Sequence, residues 1–175
     1  ANTRSDGARP GSVGKAVPGT DIEIVDVETG RTVLPTGETG EVRVRGPHMM
    51  RGYTGNPEET AMTIRDGYIY TGDIGRLDAE GFLTISDRKK DVIFVKGFNV
   101  FPRELEEALL AHDAVSGACV VGRPDARAGE VPVAYVTLRT PVAPDDLKAF
   151  CARTLAAYKL PAEIVELDIP KVERD

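Results

Sequence analysis

Tyr70-Thr71-Gly72-Asp73, followed fifteen residues after Asp73 by Arg88 within Ser86-Asp87-Arg88-Lys89-Lys90-Asp91, decides the reading of this chain. The first run sets a carboxylate after a tight glycine turn, and the second sets an arginine just beyond the next strand pair. An ionised carboxylate only accepts hydrogen bonds, which suits the two adjacent hydroxyls of a ribose. A nearby guanidinium can serve a neighbouring hydroxyl or a phosphate oxygen. Together Asp73 and Arg88 read as half of a nucleotide site, with the other half expected outside this sequence.

Upstream of that pair the texture is antiparallel β. The first twenty residues are polar and rich in Gly, Pro and Arg, and read as a loop entering a domain. Asp21 to Val27 and Glu41 to Arg45 read as strands of a hairpin with one buried face, the second alternating with period two. Asn56-Pro57-Glu58-Glu59 is a helix start, with Asn at the cap, Pro in the first helical position and acids in the first turn. Asp66-Gly67 is expected to end that helix. Tyr68 to Tyr70, Gly75 to Leu77 and Phe82 to Ile85 then read as separate strands, with a turn at Asp78 to Gly81.

Downstream of Arg88 the pattern becomes α+β. Val92 to Val95 and Asn99 to Phe101 flank a bend at Lys96-Gly97-Phe98. Pro102 opens a helix with Leu105, Ala108 and Leu109 on one face, and Pro144 opens another with Leu147, Phe150, Cys151 and Leu155 inward. Ala118 to Val121, Val133 to Leu138 and Ile164 to Leu167 read as strands. The pattern alone predicts a mostly antiparallel β unit over 1–87 and a small α+β unit over 88–175. The charged run Asp87 to Asp91 reads as the hinge between them.

Composition excludes several classes. A formal net charge of −6 argues against a nucleic-acid binder working by general electrostatic attraction. No apolar run approaches the roughly 20 residues that a membrane helix needs. Cys119 and Cys151 stand in apolar stretches at no metal-ligand spacing and read as buried free thiols, which fits a reducing cytoplasm. His48 and His112 are the two histidines, so neither a histidine metal cage nor a Ser-His-Asp triad is expected.

Several segments together resemble the AMP-forming adenylating enzymes, the superfamily of acyl-CoA synthetases, peptide-synthetase adenylation domains and luciferases. Gly40-Glu41-Val42-Arg43-Val44-Arg45-Gly46-Pro47, Gly52-Tyr53 and Asn56-Pro57-Glu58-Glu59-Thr60 resemble one block. Tyr70-Thr71-Gly72-Asp73 resembles the nucleotide-ribose block. Asp87-Arg88-Lys89-Lys90-Asp91 with Lys96-Gly97-Phe98-Asn99-Val100-Phe101-Pro102-Arg103-Glu104-Leu105-Glu106 resembles the hinge and its following glycine loop. His112-Asp113-Ala114-Val115, Val120 to Asp125 and Tyr158-Lys159-Leu160-Pro161 continue the match, with Asp113 where the family usually has proline. The order and spacing of the blocks are more specific than any one of them. Lys-Gly-Phe-Asn-Val-Phe-Pro after the hinge looks more like the fatty- and aryl-acyl CoA ligase branches than like peptide-synthetase domains.

The resemblance implies a distorted antiparallel β-barrel-like subdomain over 1–87, followed by a small α+β lid domain over 88–175, and it implies roles residue by residue. Asp73 and Arg88 would hold the ribose and phosphate of ATP or AMP; read alone, they are a turn aspartate and a solvated arginine. Lys90 would be the hinge residue; by composition Lys89 and Lys90 are simply a charged linker, and the two readings are compatible. Lys96, Gly97 and Phe98 would line the channel for the CoA pantetheine arm, where Gly97 is equally a glycine in a β-bend. Glu104, Glu106 and Glu107 read as structural acids near a helix start, and Glu104 and Glu106 share no helix face.

The implied reaction is that of an acid–thiol ligase. A carboxylate attacks the α-phosphate of ATP, giving acyl-AMP and pyrophosphate with Mg2+ neutralising charge. The CoA thiol then displaces AMP after a domain swing. The phosphate loop, the magnesium ligands and the acid pocket are expected upstream of this chain. The family's catalytic lysine is expected beyond residue 175, with Pro170-Lys171 resembling the start of its motif; no catalytic or metal-ligating residue is therefore assigned, and the chain alone is expected to be inactive. The acid expected is a medium- or long-chain fatty acid, with a small or aromatic acid as the alternative. A stand-alone binding or regulatory module of the same fold is the reading from another class. Apolar patches facing missing neighbours would favour self-association as a homo-oligomer.

Overall fold

A computed structural model describes residues 9–168. Pro170-Lys171 and the first eight residues of the polar leader lie outside the described residues. The chain divides into two compact units between Lys90 and Asp91.

In the first unit an antiparallel sheet curls into a half-barrel. Its strands are β1 (Asp21–Val25), β2 (Gly40–Arg45), β3 (Ile64–Arg65), β4 (Tyr68–Leu77) and β5 (Leu83–Arg88), with β2, β3 and β5 all paired to β4. The expected hairpin forms: Ile24 stands opposite Val42 and Asp21 opposite Arg45. Period-two alternation then splits the side chains between two faces. Ile24, Val42 and Leu83 pack on one, backed by Ile22, Val44, Leu77 and Ile85, while Val25, Tyr68 and Tyr70 cluster separately.

Helix α1 (Pro57–Thr63) starts as expected, with Asn56 Oδ1 accepting the Glu59 N–H at 3.1 Å and Pro57 in the first turn. Its end differs from expectation. The helix stops at Thr63, and Asp66-Gly67 (φ 52° and 78°) instead forms the turn between β3 and β4. Asp-Gly is the pair best able to take two consecutive left-handed residues, so it closes a two-residue hairpin rather than a helix.

The second unit builds a mixed sheet from β6 (Ile93–Val95), β7 (Phe98–Val100), β8 (Val115–Asp125), β9 (Gly129–Leu138) and β10 (Glu163–Glu166). The long β8–β9 hairpin is antiparallel, and β10 joins β9 in parallel. Helices α2 (Pro102–Leu110) and α3 (Pro144–Cys151) pack on this sheet through Leu105, Leu109, Leu147 and Cys151. Each fully buried leucine contributes about 1.5–3 kcal/mol relative to exposure. Leu155 lies past the end of α3 and is only partly buried against the core.

Cys151 is buried, and burial pushes its thiol pKa up. Cys119 is exposed, contrary to the expectation of two buried thiols. On β8 Val120 faces the core, so the strand period turns its neighbour Cys119 outward. No described helix is long and apolar enough to cross a membrane.

Candidate functional site

The Tyr70-Thr71-Gly72-Asp73 run is not a turn between strands; it is a bulge inside β4. Arg43 stands opposite Tyr70 and Glu41 opposite Ile74, so Val42 alone faces Thr71, Gly72 and Asp73. Extra residues on one strand leave the ladder and re-aim their side chains. Gly72 supplies the left-handed step at φ 68°, which non-glycine residues rarely adopt. The Thr71 hydroxyl stitches the bulge from both sides: it donates to the Val42 carbonyl at 2.9 Å and accepts the Asp73 N–H at 3.1 Å.

On its other edge β4 pairs with β5, and the register sets Asp73 directly opposite Arg88. Arg88 Nη1 meets Asp73 Oδ1 at 2.9 Å, with the arginine side chain 62% exposed and the aspartate 28%. A pair this exposed contributes little to stability, about 0–1 kcal/mol. A carboxylate has about four acceptor positions, so one guanidinium contact leaves it able to accept two hydroxyls. The structure therefore brings Asp73 and Arg88 together.

The residues after Arg88 form a single 3-10 turn, Lys89–Asp91, with Lys90 exposed at its centre. Lys89 was expected to be linker. Instead its ammonium reaches Glu41 Oε2 at 2.7 Å, and the Glu41 side chain is 3% exposed. Breaking a buried ion pair from one side costs about 3–5 kcal/mol, with the lower end apt here because Lys89 is partly exposed. Sequence reasoning missed this contact because the two residues are 48 apart and each sits in an unremarkable charged pattern.

Lys96-Gly97 is the two-residue turn of the β6–β7 hairpin, with φ 51° and 82° and Val95 opposite Phe98. A side chain added at Gly97 would meet nothing within 4 Å, so the turn opens to solvent. Phe98 is 54% exposed and stacks on Tyr158, with ring centroids 4.7 Å apart. Tyr158 belongs to a 3-10 turn, Ala157–Lys159, fastened by Lys159 Nζ to Glu104 at 2.7 Å. Glu104 is thus structural, as are Glu106, which accepts the Val120 N–H at 2.9 Å, and Glu107, paired with Arg103. Tyr158 is a second residue that sequence reasoning left without a role; its partner is 60 positions away, and only the fold joins them.

Two family descriptions match the chain: AMP-binding enzyme over residues 1–54, and AMP-binding enzyme C-terminal domain over residues 104–174. A long-chain-fatty-acid–CoA ligase of Bacillus subtilis (strain 168) is 47% identical over 155 residues, covering 87% of this chain and 28% of the relative. A 2-succinylbenzoate–CoA ligase of Geobacillus kaustophilus (strain HTA426) is 44% identical over 160 residues, covering 90% and 32%. A solved o-succinylbenzoate CoA synthetase of Bacillus subtilis, in complex with the acyl-adenylate intermediate OSB-AMP, superposes with a TM-score of 0.78. It is 40% identical and is matched over 91% of this chain and 32% of its own. The chain belongs to the AMP-forming adenylating enzymes and corresponds to the C-terminal portion of their fold. It spans about a third or less of the length of these relatives.

Proposed function

We propose that this chain supplies the ribose contact, the hinge and the CoA-facing turn of an ATP-dependent carboxylate–CoA ligase. The observation carrying the reading is the Asp73–Arg88 pair, set opposite each other by strand register at a bulge. Such an arrangement gains little for stability, so a role toward a ligand explains it better than a structural one.

In the first half-reaction a carboxylate oxygen attacks the α-phosphorus of ATP, the bond to the β-phosphate breaks, and pyrophosphate leaves. The Mg2+ expected with the triphosphate would neutralise its charge, and it is assigned no residue of this chain. Asp73 accepts hydrogen bonds from the ribose hydroxyls, and Arg88 serves the ribose or phosphate edge, so both contribute orientation. In the second half-reaction the CoA thiol attacks the acyl carbon; the C–S bond forms and the bond to AMP breaks. Lys90 is the pivot that lets the second unit present Lys96, Gly97 and Phe98 to the pantetheine arm.

For the acid, we propose a medium- or long-chain fatty acid, supported by the 47% identity to a long-chain ligase. A small or aromatic acid is the second reading, favoured by the 44% identity to a succinylbenzoate ligase. Pyrophosphate release by the complete gene product across a panel of acids tests both. Turnover with C8–C18 acids upholds the first, turnover with aromatic or short acids alone upholds the second, and release with no acid refutes the ligase reading.

A further inference from the structure

Glu41 is the buried charged side chain among the described residues, and nothing in the proposed chemistry uses it. Its place in the sheet is informative. Glu41 on β2 stands opposite Ile74 on β4, and Ile74 stands opposite Asp87 on β5. Lys89, two residues past Asp87, reaches back across that row to Glu41 Oε2 at 2.7 Å. Arg88 lies between these two fixed points. Its own N–H donates to Asp87 Oδ1 at 2.9 Å, its side chain meets Asp73, and the next residue is tied to the interior. The tie ends at Lys89, because Lys90 is exposed and the first unit ends there.

We infer that Glu41, acting through Lys89, is a positioning residue: it holds the end of β5 so that Arg88 faces Asp73, and it makes Lys90 the first residue free to pivot. Glu41 is buried and Lys89 partly so, and leaving the buried carboxylate without its ammonium is costly, so the contact fixes where Lys89 sits. Releasing Lys89 would let Arg88 and the pivot move together. The nucleotide contact would then be lost whenever the hinge moved. The inference rests on the ribose reading of Asp73 and Arg88.

The test uses the complete gene product with three readouts: melting temperature, KM for ATP in pyrophosphate release, and thioester formation from added acyl-adenylate and CoA. In the double variant Glu41→Gln/Lys89→Met no charge is left in the interior, so its melting temperature should stay within a few degrees of the parent. Its KM for ATP should nonetheless rise about 5–10-fold, whereas Lys89→Arg alone, which keeps the ion pair to Glu41, should stay near the parental KM. A folded double variant with parental KM would overturn the inference and leave the pair a stability element. If the double variant does not fold, Glu41→Asp keeps the charge and shortens its reach; a rise of about 2–5-fold in KM is expected, and none would equally overturn it. Asp73→Ala separates the two levels. An unchanged KM for ATP in that variant defeats the ribose reading itself, whereas a raised KM beside a parental double variant defeats only the role of Glu41.

Discussion

Asp73 lies where three residues of β4 oppose one of β2, its side chain is partly exposed, and its value lies in what it can accept. Hydrogen bonds to a charged group are worth about 1.5–3 kcal/mol, so Asp73→Ala should raise the KM for ATP about 10–150-fold with little change in melting temperature. A drop of many degrees would show that the residue is structural. Other aspartates do structural work. The backbone N–H groups of Phe82 and Glu80 hold the Asp78 carboxyl below its usual range, and those of Arg127 and Ala128 do the same for Asp125. A depressed carboxylate contributes stability that is complete above its unfolded pKa of about 3.9 and is lost as pH falls through the lower folded value. Melting temperature should therefore hold from pH 7 to about pH 5 and fall below pH 4, with a shallower fall in Asp78→Asn; identical acid profiles would contradict this. At this scale the closeness of Asp73 and Arg88 was legible, because the motif and its spacing place the two on neighbouring strands. Glu41 with Lys89 was not, since only the register of three strands brings that acid and that amine together.

Among the elements, the β6–β7 turn carries the clearest consequence. Gly97 sits at φ 82° with open space around it, so Gly97→Leu both strains the backbone and places a side chain over the turn. Thioester formation should fall at least about tenfold while pyrophosphate release is spared; normal CoA turnover would refute the channel role. Tyr158→Ala, by removing the ring behind Phe98, should raise the KM for CoA several-fold, with Tyr158→Phe near parental because stacking survives. Equal losses in both half-reactions of Tyr158→Ala would speak against it. Helices were read well from sequence, since Pro57, Pro102 and Pro144 mark their first turns and Leu105 and Leu109 mark one face. The long strands β4, β8 and β9 were read short, whereas β1 and β6 were read slightly long. β4 was divided at Gly72 because a glycine within a strand looks like a turn until its partner strand is known, and β8 extends past its apolar centre into polar residues. Asp66-Gly67 was misplaced for a related reason: β3 is two residues long, too short to show a period.

The whole chain is two units joined in a 3-10 turn at Lys89–Asp91, and the proposed mechanism needs that joint to turn. Lys90→Pro fixes φ at about −65°. It should leave pyrophosphate release near parental and slow thioester formation by about tenfold or more; equal loss of both steps would place Lys90 outside the swing. The sequence changes from antiparallel strands to an α+β pattern around the charged run Asp87 to Asp91. The acid substrate was not visible, because ligases for different acids share this portion at similar identity. The most direct test of the central claim compares ATP with 2′,3′-dideoxy-ATP in the parent and in Asp73→Ala of the complete gene product. The parent should favour ATP by about 10–150-fold in kcat/KM, and the variant should lose most of that preference. A variant that still discriminates as strongly as the parent would mean that the ribose is held elsewhere.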